Sequence, residues 1–76
     1  MLIMDYQLIF DSRDEALELL HAIAEAYRKK PAYPKVQING NTLVVLHDPT
    51  GIHSNPTLSQ LEDIARKEKV KYHLIN

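Results

Sequence analysis

Residues 34–48 read PKVQINGNTLVVLHD. Two runs of strand-forming residues, 35–38 and 42–47, flank Asn39-Gly40-Asn41. Asn and Gly accept the positive φ of a tight turn, so the stretch predicts a β-hairpin. Its second strand, TLVVLH, is apolar on both faces, and such a strand needs cover on both sides. The segments before and after the hairpin have to supply that cover.

Upstream, Ser12-Arg13-Asp14-Glu15 forms a capping box, with Asp14 and Glu15 placed to complement the positive end of a helix dipole. Ala16, Leu17, Leu20, Ile23, Ala24 and Tyr27 follow as an apolar stripe of helical period. Arg28, Lys29 and Lys30 are expected in the last turn, and Pro31 ends the helix. Before it, residues 2–10 alternate Leu2, Met4, Tyr6, Leu8 and Phe10 against Ile3, Asp5, Gln7 and Ile9, which reads as a central strand with the first set buried. Downstream, residues 48–56 form a breaker-rich loop. A second helix then starts at Asn55-Pro56 or at Thr57 with Gln60, carrying Leu58, Leu61, Ile64 and Ala65 on its apolar stripe. A last strand alternates Val70, Tyr72 and Leu74 with Lys71, His73 and Ile75.

The order is β-α-β-β-α-β, and it predicts a single α+β domain over residues 1–76. The expected fold is a ferredoxin-like split βαβ sandwich, a four-stranded antiparallel sheet with two helices on one face. Within it the first and third strands are expected side by side at the centre, parallel to each other, with the second and fourth as edges. The helix-free face would show Ile3, Ile9 and Ile75 with one set of the third strand, Leu43 and Val45 or Val44 and Leu46. Such a patch marks a contact surface, and a homodimer through it or through edge pairing at residues 71–75 is the expected association. The residues assigned to that interface are Ile3, Ile9, Val44, Leu46, His73 and Ile75.

Composition narrows the function classes. A chain of 76 residues holds one core and is marginal as a monomer, and with no cysteine it has neither disulfides nor thiolate metal sites. Oligomerisation remains as a source of stability. A net charge of −1 favours neither nucleic acid nor an anionic membrane. No apolar run approaches the roughly 20 residues that span a bilayer, and the N-terminus lacks a basic leader, so a cytoplasmic location is expected.

Two constellations could carry chemistry. If the first and third strands are parallel, Asp11, His47, Asp48 and His53 converge beside two helix N-termini, where a small ligand or a divalent ion could sit. The spacing matches no standard metal motif, and turn-forming Asp with exposed His accounts for the same residues, so no metal or other cofactor is assigned. The basic clusters Arg28, Lys29, Lys30 and Arg66, Lys67, Lys69, joined by Lys35 and Lys71, are expected at one end as an anion or nucleic-acid surface, with Asp11, Asp14, Glu15 and Asp48 at the other. Dipole complementation on two helices explains the clusters equally. No nucleophile motif is present, and base-stacking aromatics are lacking on the third strand, so a protein-binding, non-enzymatic role is expected over catalysis or RNA binding.

Overall fold

A computed structural model of the protein describes residues 3–75, with side chains from residue 6 onward. Leu2 and the side chains of Ile3 and Met4, assigned above to strand faces, lie outside the described set. The elements are β1 (Ile3–Ile9), α1 (Arg13–Ala26), β2 (Lys35–Asn39), β3 (Thr42–His47), α2 (Leu58–Glu68) and β4 (His73–Ile75). The strands form one sheet in the order β2-β3-β1-β4, and every neighbouring pair is antiparallel. The fold class is α+β.

The expectation that the first and third strands run parallel is overturned: Ile3 lies opposite His47 and Ile9 opposite Thr42. The cause is the hairpin. The crossover through α1 makes β1 and β2 run the same way, and the turn at Gly40 reverses the chain, so the strand inserted between them opposes both. Asn39 pairs with Thr42, which leaves a two-residue loop of Gly40 and Asn41. Gly40 has φ +63°, and Lys69 is the one non-glycine with positive φ among the described residues, so only the first loop position is left-handed. That is the type II′ pattern, which demands glycine there. Asn41 then ties the turn to the end of β1: its carbonyl accepts the Phe10 N–H at 2.9 Å and its Nδ2 donates to the Phe10 carbonyl at 2.7 Å.

The core lies between one sheet face and both helices. Leu8 and Phe10 of the first strand segment, Leu43 and Val45 of β3, Ala16, Leu19, Ile23 and Tyr27 from the first helix and its cap, and Leu61 and Ala65 of α2 form one buried cluster. Leu43 and Val45 therefore face the helices, and Val44 and Leu46 alternate onto the helix-free side. The stripe of α1 differs from the expected one. Leu19 is fully buried, Leu17 is half-buried and Ala24 is exposed, because Leu19 shares a face with Ala16 and Ile23 at helical spacing.

The helix ends also differ in part. Ser12 caps α1, its Oγ accepting the Glu15 N–H at 3.3 Å, while the Glu15 carboxylate meets the Ser12 hydroxyl at 3.4 Å rather than closing the expected box on the Ser12 backbone. At the other end the helix stops at Ala26, one turn early, so Arg28, Lys29 and Lys30 follow the cap Tyr27 rather than occupying the last turn. The backbone tightens there, with the Arg28 N–H on the Glu25 carbonyl and the Lys30 N–H on the Tyr27 carbonyl, and Lys30 Nζ sits 5.4 Å from the Tyr27 ring. Tyr33, in the connector after α1, is 54% exposed. Thr57 opens α2 with a complete capping box to Gln60, its N–H donating to Oε1 at 2.8 Å. Lys69 closes α2 in the left-handed region at φ +58°, with the Lys69 N–H on Arg66 and the Val70 N–H on Ala65, which is a Schellman closure.

Three substitutions check this packing by urea denaturation. Leu19→Ala should cost about 2–4 kcal/mol, while Leu17→Ala costs about 1 kcal/mol or less. Lys69→Gly should raise stability by about 1 kcal/mol, since a glycine meets no Cβ penalty at positive φ.

Candidate functional site

Asp48 is the one buried charged side chain among the described residues, 3% exposed at the end of β3. Its Oδ1 accepts the Thr50 N–H at 2.9 Å, an Asx turn, and the Thr50 hydroxyl at 2.5 Å. Its Oδ2 accepts the His53 N–H at 3.0 Å and faces the His53 ring Nδ1 at 2.8 Å. The main chain of the same residue is clasped by one amide side chain: the Asp48 N–H donates to Asn55 Oδ1 and the Asp48 carbonyl accepts Asn55 Nδ2, both at 2.8 Å. The loop is thus wound around a single residue. It is joined to the connector after α1 by the Ser54 N–H on the Tyr33 carbonyl at 3.0 Å and by a bridge between Pro34 and Ser54.

The electrostatics follow from these donors. The Thr50 hydroxyl first and the His53 ring second, helped by the two backbone N–H groups, hold the Asp48 carboxyl far below the usual carboxylate range, against the opposing effect of burial. The carboxylate partner requires the proton on His53 Nδ1, which leaves Nε2 as the free ring nitrogen on a side chain 35% exposed. Four donors occupy about all the lone-pair positions a carboxylate offers. A divalent ion would have to displace them. Among the described residues no group of three or more His, Asp or Glu side chains could hold a metal ion.

Antiparallel pairing separates the residues that a parallel pair would have gathered. His47, Asp48 and His53 lie at the end of the sheet where β1 begins, and Asp11 is exposed at the opposite end, after β1 finishes. The four-residue constellation is not formed. The same reversal makes the helices antiparallel, so Arg28, Lys29 and Lys30 lie near the Asp48 loop while Arg66, Lys67 and Lys69 lie near Asp11. The single basic end is likewise not formed, and Asp48 does not share an end with Asp14 and Glu15. Locally Arg28 pairs with Glu25 at 3.4 Å and Arg66 with Asp63 at 3.0 Å, both pairs exposed.

The helix-free face is more mixed than the strand pattern alone implies. Ile9, Val44 and Leu46 share it with Ile75, but pairing sets Gln7 between Val44 and Ile75, and Thr42 and His73 on either side of Ile9. At the β2 side Lys35, Gln37 and Asn39 complete the rows. On the helix side, next to β4, an open groove of about 570 Å³ carries Ala65, Val70 and Tyr72 as its apolar lining and Asp11, Glu62, Arg66 and Lys71 as its charges. Burial, and then the nearby Glu62 against a smaller opposing effect of Arg66, raises the Tyr72 hydroxyl above the ordinary tyrosine value. The Tyr72 ring stands 6.0 Å from that of Phe10.

Thr50 and Asn55 were not among the sequence candidates, although Asp followed two residues later by Thr in a Pro- and Gly-containing loop is an Asx-turn signal. The groove had no signal at all, because Asp11 and Lys71 meet only through tertiary structure. No helix among the described residues is long and apolar enough to cross a membrane. No family model matches the chain, and no curated protein or solved structure matches it either.

The Asp48 cluster makes acid stability its readout. A folded-state value below the unfolded value of about 3.9 contributes stability that is complete above that pH and is lost as pH falls below it. The urea midpoint of the wild-type chain should drop steeply from pH 4 downward. Asp48→Asn should be less stable at neutral pH and show a shallower drop over the same acid range.

Proposed function

We propose that this chain is a small, non-enzymatic interaction module of the ferredoxin-like kind that works by associating with itself, with a cytoplasmic location as part of the same reading. The observation that carries it is the siting of exposed apolar surface: Leu74 and Ile75 on the short strand β4 are 37% and 41% exposed, and Ile75 shares the helix-free face with the half-buried Ile9 and Leu46, Val44 being buried between them. The succession β-α-β-β-α-β, with β1 flanked by β3 and β4, supports the ferredoxin-like assignment. A domain of this size also gains stability from a partner, having no disulfide to hold it.

A ligand-binding role at the Asp48 end is the weaker reading. Asp48 spends its oxygens on the loop itself, and of the four residues once grouped there Asp11 is remote. The basic clusters, held apart at opposite ends, give no continuous surface for a nucleic-acid backbone.

Sedimentation velocity tests the reading directly. The wild-type chain should show a mass rising from one copy toward two across low to high micromolar concentration, and a single charge placed on the sheet surface at Ile75 should shift that rise to higher concentration. A one-copy mass throughout would end it.

A further inference from the structure

We infer that β4 is the pairing edge and that its partner is β4 of a second copy of this chain, antiparallel about a two-fold axis through Leu74. The inference rests on the self-association reading and names its geometry. The two edges of the sheet are unlike. β2 presents Lys35, Gln37 and Asn39 to solvent, and the approach to it is tied down by the Pro34–Ser54 bridge. Lysine on the strand and proline at its start are common guards against edge pairing. β4 has neither. Of the four large apolar side chains that stand exposed among the described residues, Tyr33 and Ile52 belong to loops, and the two that belong to the sheet, Leu74 and Ile75, are neighbours on this edge.

Their directions suit a two-fold pair. Leu74 sits opposite Leu8 and so points to the helix side, while Ile75 opposite Gln7 points to the helix-free side. Pairing centred on Leu74 sets it against Leu74 of the second copy and sets each Ile75 against His73 of the other, covering both apolar side chains at once. The two sheets of four become one of eight. A two-fold contact must match itself. The groove beside this edge is charge-balanced, Asp11 and Glu62 against Arg66 and Lys71, so a second copy placed there adds no net repulsion. A uniformly acidic or basic partner would meet as many like charges as opposite ones.

The chain has no cysteine, so a single introduced one reports its own neighbour. Residues directly opposite across an antiparallel pair have Cβ atoms about 4.5–5.5 Å apart, within reach of a disulfide after small adjustment. Leu74→Cys under mild oxidation should give a covalent dimer, and Leu46→Cys, on the sheet face, should not. As a second arm, Ile75→Lys should weaken association about tenfold by sedimentation with an unchanged circular dichroism spectrum. Cross-linking by Leu46→Cys with Leu74→Cys silent overturns the edge pairing and leaves self-association through the face. A wild-type chain monomeric at hundreds of micromolar, with neither variant cross-linking, overturns both.

Discussion

The antiparallel ladder between β1 and β3 is the constraint on which the rest of the molecule depends. It is the centre of the sheet, it supplies Leu8, Phe10, Leu43 and Val45 to the core, and its direction decides which loops share an end. Reversing one strand relative to the other would change almost nothing in the composition of the core, since the same alternate residues would still face the helices. It would change every statement about which polar groups are neighbours. The ladder is locked at one end by the reciprocal contacts between Asn41 and Phe10, so the hairpin turn and the start of α1 are held as one unit.

Asp48 plays the corresponding part at the other end. A buried carboxylate is costly unless its oxygens are satisfied, and here chain donors satisfy them on all sides. The result is a loop whose conformation is specified by one residue rather than by apolar burial, joining the end of β3, the connector after α1 and the cap of α2. The cluster resembles the carboxylate–histidine pairs of catalytic centres in its distances, but among the described residues no third side chain joins it to make a metal-holding group. Its two oxygens are all used in holding the loop.

What was legible in the residues was what is decided locally. Gly40 between two β-branched runs, Ser12 before Asp14 and Glu15, and Thr57 before Gln60 each specify their turn or cap within a few positions: the turn forms at Gly40, Ser12 caps α1 with half of its box, and of the two starts open for α2 Thr57 is the one used. On the first helix Ala16, Ile23 and Tyr27 are buried as read, but Leu19 takes the place given to Leu17, because Leu17, Leu19 and Leu20 crowd a single turn and only the facing sheet selects among them. Strand direction was misjudged because it is a property of connections rather than of any strand. That one error carried the Asp11 constellation and the shared basic end with it. Asp48 was noticed as a loop residue, yet its hold on Thr50 and Asn55 depends on backbone positions that no pattern of residue types displays.

The pairing pattern also orders events on a chain made from its N-terminus. β1 precedes the other strands and ends up in the middle, but the nearest ladder partner it has is Thr42, more than thirty residues later. Among the described residues the hairpin of β2 and β3 is the only pairing between consecutive strands, so it can close as soon as its turn is made, while β1 and the amphipathic segment after it wait. The central ribbon is thus completed from outside inward, and β4, the last strand of the sheet in chain order, sets the final seam beside β1.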